Sequence, residues 1–321
     1  MITYMKYFGI ILSLVLLISC NESKNSTKAN LIPIGEGHLA VDGGKIWYKV
    51  TGKGSGTPVV LLHGGPGYSS FYLKPFEELG ENRQVIRYDQ LGAGKSDIVA
   101  DTSLFTINHF VEELESLRKH LNVEKWNVLG HSWGTILAFE YYRNYPARVS
   151  SMILGSPCID MNAWEKSTNH LLETLPDSLK NAVLEADTTG NYANPLYESA
   201  ITQFYDKYLW GANPIKEDLD SIMSTANLDI YHHMWGPSEF SITGTLKGYD
   251  VTHLLKNVKV PILFTVGEFD EISPGIVEEM ASITNSEFVV FKGSSHLTTW
   301  GAREESIIVV EDFISLSDLK K

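Results

Sequence analysis

Apolar positions along the chain follow two different periods, and the alternation between them predicts the architecture. Residues 38–50 (HLAVDGGKIWYKV) alternate and turn at Gly43-Gly44, the pattern of an antiparallel hairpin. Residues 58–62 (PVVLL), 84–88 (QVIRY), 126–129 (WNVL) and 151–154 (SMIL) are short, largely apolar runs that read as strands. Between them the period changes: Phe110, Val111, Leu114, Leu117 and Leu121 recur at helical spacing. Strand-like runs return at 260–266 (VPILFTV) and 287–291 (EFVVF), and a helical pattern over 303–319 closes the chain. Strands alternating with helices imply an α/β fold with a mostly parallel central sheet covered on both faces. From 159 to 248 the strand runs disappear and helix-like stretches rich in Trp, Tyr, Leu and Asn replace them. The expected organisation is therefore a core of 35–158 and 249–321 carrying an inserted helical cap, 159–248.

The N-terminal segment follows neither period. Residues 8–18 (FGIILSLVLLI) form an apolar run behind Lys6 that falls short of the roughly 20 residues a membrane-spanning helix needs. It has the pattern of a signal peptide, assigned to 1–19. Leu17-Ile18-Ser19-Cys20 resembles the lipobox of bacterial lipoproteins, which makes Cys20 the expected lipidation site. The polar run that follows (NESKNSTKAN) begins a flexible tether, expected over 20–34. An exported lipoprotein, anchored through its lipid at the periplasmic or cell-surface face of a membrane, is the expected location.

Composition narrows the function classes. A hydrophobic share of 43% in 321 residues supplies a sizeable core and excludes wholesale disorder. A formal net charge of −13 repels a phosphate backbone, so nucleic acid is not an expected partner. Two cysteines, Cys20 and Cys158, provide neither a disulfide framework nor a structural zinc set. Two glycine clusters suggest nucleotide binding and fail on spacing. Gly92-Ala93-Gly94-Lys95-Ser96 ends like a P-loop, but the required first glycine falls on Asp89. Gly52, Gly54 and Gly56 follow a hairpin and precede a strand, the reverse of a dinucleotide fingerprint. His232-His233 lacks the companion ligands of a metal site. No cofactor and no metal are expected.

Gly130-His131-Ser132-Trp133-Gly134 satisfies GxSxG between a predicted strand and a predicted helix, the context in which that motif lifts a serine onto a strained turn. Ser132 is the candidate nucleophile. The Trp133 N–H at the helix start is one candidate oxyanion donor, and the loop His63-Gly64-Gly65-Pro66-Gly67 offers the second, with Gly65 favoured over Gly64. Serine is a weak nucleophile unless a histidine base and an orienting acid assist it. In the chain order Ser, Asp, His, the candidates are Asp270, just past VPILFTV, and His296, just past EFVVF. Both lie where open α/β sheets place their sites, beyond the carboxyl ends of strands.

With these residues in place, the chain resembles the proline iminopeptidase family of α/β-hydrolases, in the branch that includes the tricorn-interacting aminopeptidase and amino-acid amidases. The resemblance spans roughly Gly35 to Phe313. It is carried by HGGPG, YDQLGAGKSD, the serine elbow, NYANPLY, GPSEFSITGTLKGYD, GEFDE and SSHLTTW. It implies an α/β-hydrolase fold with a helical cap, cleaving one N-terminal residue from short peptides or amino-acid amides. It also implies that carboxylates hold the substrate's free amino group, at positions matching Glu239 in the cap and Glu271 beside the acid. A buried ammonium is tolerable only when paired, which is consistent with that role. The chain departs from the family's usual pattern at His131, where glycine or serine is common, and at Trp235, where a small polar residue is expected. The leading reading is a serine aminopeptidase that acts on proline, and on other small or apolar residues, through an acyl-enzyme. An esterase, lactonase or amidase of the same fold would use the same triad without an amine clamp. A hydrolase-fold binding protein without turnover is the reading from another class, and serine at position 132 disfavours the aspartate-nucleophile relatives. Oligomeric state is not legible in the sequence.

Overall fold

The computed structural model describes residues 31–211 and 214–319. The expected signal peptide, Cys20 and most of the expected tether lie outside the described residues. Eight strands build the sheet: β1 (Gly35–Val41), β2 (Gly44–Thr51), β3 (Gly56–Leu62), β4 (Arg83–Asp89), β5 (Trp126–His131), β6 (Val149–Gly155), β7 (Ile262–Gly267) and β8 (Glu287–Phe291). Their order is β1-β2-β4-β3-β5-β6-β7-β8, with β2 antiparallel to both its neighbours, β1 and β4, and the remaining pairs parallel. Because side chains alternate across a strand, β3 feeds both faces: Val60 and Leu62 join one apolar cluster, Val59 and Leu61 the other. The first cluster packs α1 (Ile107–His120), α2 (Trp133–Asn144) and, further along the chain, the helix Pro274–Thr284. The second packs the 3-10 segment Ser70–Glu81 and the last helix, Arg303–Leu319.

Between β6 and β7 the chain inserts α3 (Met161–Leu172), α4 (Asp177–Thr189), α5 (Pro195–Phe204), α6 (Lys216–Ser224) and α7 (Leu228–Met234). Leu172, Leu179, Val183, Tyr197, Phe204, Tyr208 and Phe240 give this insert its own apolar centre. Its two ends are pinned together: Met161 N–H donates to Tyr249 O at 2.8 Å and Val251 N–H to Ile159 O at 3.1 Å. Insert and sheet belong to one compact unit that begins at Leu31.

Two details differ from the sequence expectation. The hairpin turn is Asp42-Gly43, one residue early, since Val41 pairs with Gly44 and the positive φ of +86° falls on Gly43. The expected tether over 20–34 stops short of its predicted end. Ile32 is buried and clamped to Gln84, its N–H donating to Oε1 and its carbonyl accepting from Nε2, both at 2.7 Å. α2 starts at Trp133, directly against Ser132, which puts the Trp133 N–H at the helix start as expected. The strand order sends the chain one way after β3 and the other way after β5, so a crevice opens between their carboxyl ends.

Candidate active site

The glycine loop and the serine turn meet in that crevice. Ser132 joins β5 to α2 with φ +55° and ψ −126°, a conformation that costs a non-glycine residue on the order of 1 kcal/mol or more. Its flanking glycines make the turn possible. A Cβ on Gly130 would lie 2.2 Å from Gly134 O, and one on Gly134 would lie 2.1 Å from Leu62 O. Gly64 is equally constrained, since its Cβ would sit 2.6 Å from that of Ser132.

Of the two candidate loop amides, that of Gly64 is committed, donating to the Tyr72 hydroxyl at 2.6 Å. Gly65, at φ +39°, lines the cavity with Ser132, and no protein group accepts its N–H among the described residues. Trp133 is the first residue of α2, so its N–H has no carbonyl one turn earlier in the helix. Gln90 fastens the loop to the elbow. Its N–H donates to His63 Nε2 at 3.0 Å, its amide nitrogen to His63 O at 3.1 Å, and its Oε1 accepts from Trp133 Nε1 at 2.8 Å.

Asp270 and His296 come together as the chain order suggested, with Nδ1 of His296 donating to Asp270 Oδ1 at 2.8 Å. The other oxygen, Oδ2, accepts from Ser156 Oγ at 2.7 Å and Gly267 N at 3.1 Å, so the acid is held on both sides. Burial opposes ionisation of Asp270, but His296 and these donors outweigh it and keep the carboxyl below the usual range. With Nδ1 occupied, Nε2 is the nitrogen left for Ser132. His296 and Ser132 line the same cavity. Ser156, which holds its own positive φ of +48° at the end of β6, was not foreseen from the sequence, and no local motif marks it.

Glu239 lines the cavity as well, and Glu271 approaches from beside the acid, its Oε2 3.7 Å from His296 Nδ1. Both are buried. Glu239 Oε1 accepts from the Tyr231 hydroxyl at 2.8 Å, while Glu239 Oε2 and both oxygens of Glu271 have no hydrogen-bond partner. Burial pushes the Glu239 carboxyl up to about 7, partly offset by His296 and the Tyr231 hydroxyl. Glu271 is also raised well above the ordinary carboxylate range, first by burial and then by the charges of Glu239 and Asp270. Such a pair is short of one positive charge.

Aromatic rings wall the cavity. Tyr68 packs edge-on to Tyr231 at 5.7 Å, and Trp164 edge-on to both His296 at 5.6 Å and Trp235 at 5.2 Å. Trp235 is fully buried behind this wall, against Trp164. Among the described residues, no group of three or more His, Cys, Asp and Glu side chains could hold a metal ion. The arrangement can attack a carbonyl carbon, stabilise the oxyanion that results and seat a cation beside it.

Known proteins share this fold. The family model described as the alpha/beta hydrolase fold matches residues 57–302. The proline iminopeptidase of Heyndrickxia coagulans is 40% identical over 283 residues, covering 87% of this chain and 98% of the relative. That of Saccharolobus solfataricus is 36% identical over 295 residues, covering 89% and 94%. Among solved structures, the proline iminopeptidase of Mycobacterium smegmatis aligns with a TM-score of 0.80 at 29% identity, covering 89% of this chain and 99% of that one.

Proposed function

The chain belongs to the α/β-hydrolase family and, within it, to the proline iminopeptidases, and from that premise we propose that it is a serine aminopeptidase removing N-terminal residues, proline first, from short peptides. The observation that carries the reading is the pair Glu239 and Glu271, buried beside the triad with three carboxylate oxygens unpartnered. An ester hydrolase has no use for such a pair, whereas a substrate ammonium supplies the charge it lacks.

In this reading the ammonium sits between the two glutamates and presents the first carbonyl carbon to Ser132. His296 takes the hydroxyl proton as the Ser132 oxygen attacks, and Gly65 and Trp133 donate to the developing oxyanion. The imidazolium then protonates the departing amine and the acyl-enzyme forms. Water, deprotonated by the same imidazole, releases the amino acid. Asp270 keeps the neutral His296 in the Nδ1–H tautomer and stabilises the imidazolium when it forms.

N-acylation tests the reading directly. An acyl cap removes the charge and adds bulk where the glutamates wait, so blocked prolyl and alanyl arylamides are expected to be cleaved at least about a hundredfold more slowly than the free ones. Equal rates on free and blocked substrates would favour a general amidase.

The pH dependence follows from Glu239. Its pKa is raised to about 7, so below that pH it is protonated and neutral and cannot pair with an ammonium. kcat/KM for a prolyl arylamide, divided by that for a neutral aryl acetate, is expected to rise as pH increases through about 7. The ratio cancels the ionisation of His296 that both substrates need. A ratio flat across that range would remove Glu239 from substrate binding.

The export and lipid-anchor signal is part of the same proposal, resting on the Leu17-Ile18-Ser19-Cys20 sequence. Expressed in a bacterial host, the wild type is expected in the membrane fraction and Cys20→Ala in the soluble fraction. Equal partitioning of the two after signal removal would contradict it.

A further inference from the structure

One chain of hydrogen bonds at the site contains no group that reacts. The Gly64 N–H donates to the Tyr72 hydroxyl at 2.6 Å, Tyr72 lies 3.0 Å from His131 Nδ1, and His131 Nε2 lies 3.0 Å from the carbonyl oxygen of His296. The direction of every proton in it is determined. A carbonyl can only accept, so His131 Nε2 carries hydrogen and donates. In a neutral ring Nδ1 is then an acceptor, and the Tyr72 O–H, which already accepts from Gly64, donates to it. We propose that Tyr72 and His131 are positioning residues that tie the oxyanion loop to the loop of the catalytic histidine across the nucleophile.

The place of His131 in the fold makes this coupling possible. It is the residue immediately before Ser132, at the end of β5, so its side chain spans the two loops whose groups must converge on one carbonyl. Its ring centre is 4.6 Å from that of His296 and 5.3 Å from that of Tyr72. Burial and the neighbouring His296 push its pKa down to about 3, so the ring stays neutral and adds no charge that would oppose an imidazolium on His296. On its other side the His296 backbone is held by the insert, its N–H donating to Tyr208 O at 2.9 Å. The main chain of His296 is thereby fixed at both its N–H and its carbonyl. At the far end, committing the Gly64 amide to Tyr72 leaves the Gly65 amide for the oxyanion. A Cβ at Gly64 would lie 3.0 Å from the Tyr72 hydroxyl, so glycine is what admits this approach.

The proposal rests on the reading of Ser132, His296 and Gly65 as the reacting groups, and its test uses two substrates so that the two ideas fail separately. Tyr72→Phe removes one oxygen and leaves the ring. It is expected to lower kcat about ten- to a hundredfold on both a prolyl arylamide and an aryl acetate, the size of effect that slight misplacement of catalytic groups produces. KM should change little, because the glutamates are untouched. His131→Ala is expected to lower kcat similarly, and the double variant should be no worse than the poorer single one, since both break one chain. Two results would overturn the proposal: single variants that lower the thermal midpoint while kcat stays at the wild-type value, or losses that multiply in the double variant. Imidazole nitrogen NMR of the wild type checks the same claim without a variant. His131 should show hydrogen on Nε2 and none on Nδ1 at neutral pH, and the opposite tautomer would contradict the coupling. Loss of arylamide turnover in the wild type with ester turnover intact would instead refute the aminopeptidase reading and leave the coupling testable on the ester.

Discussion

Ser132→Ala is expected to abolish nearly all turnover, by at least about a thousandfold, on every substrate the wild type cleaves, with the fold retained. The hydroxyl is the group that forms the acyl bond in this account, and its loss leaves binding and oxyanion stabilisation as the residual catalysis. Retention of the fold follows from what surrounds it. The turn is set by Gly130, Gly134 and Gly64 and by main-chain bonds, Ser132 N to Gly155 O at 3.0 Å and Thr135 N to Ser132 O at 2.8 Å, none of which involves the hydroxyl. Steady-state rates alongside thermal melting check both halves. Near-wild-type activity in a folded variant would mean that another group is the nucleophile.

The residues legible in the sequence are those whose chemistry demands a local context. Ser132 stood out because GxSxG lay between a strand run and a helix run, and Asp270 and His296 because each followed a strand in the order the triad requires. The sheet was legible for the same reason, since β3 to β7 each contain a short, largely apolar run that carries its own signal. Glu239 and Glu271 could be singled out only through family resemblance, because nothing local distinguishes a buried carboxylate among 39 acidic residues. Tyr72, Gln90 and Ser156 were not legible at all. Their roles come from side chains meeting across long separations: Ser156 reaches Asp270 from 114 residues away, and Tyr72 reaches His131 from 59. His131 was visible only as a departure from the family's usual residue, and its partners explain why a histidine fits there. The early end of the tether was hidden because Leu31-Ile32-Pro33-Ile34 is too short a run to mark an element, and Gln84, which recruits Ile32, lies 52 residues further along the chain.

Neutralising Glu239 is expected to separate an aminopeptidase from an esterase built on the same triad. Removing one partner of a buried charge pair costs about 3–5 kcal/mol, and about 1.4 kcal/mol is a factor of ten in rate, so free-amine substrates should lose on the order of a hundredfold or more in kcat/KM. Glu239 is the better probe of the two carboxylates. It lines the cavity and stands far in sequence from Asp270, whereas Glu271 adjoins the acid. Gln preserves its shape and can still accept from Tyr231. A neutral ester offers the site no cation, and its turnover draws only on Ser132, His296, Asp270 and the oxyanion donors. The decisive measurement is therefore kcat/KM for a prolyl arylamide and for an aryl acetate, in wild type and Glu239→Gln at pH 8. The account predicts a loss of about a hundredfold or more on the arylamide with the acetate within about threefold of wild type. An arylamide rate unchanged by the substitution, or an equal fall on both substrates, would contradict it.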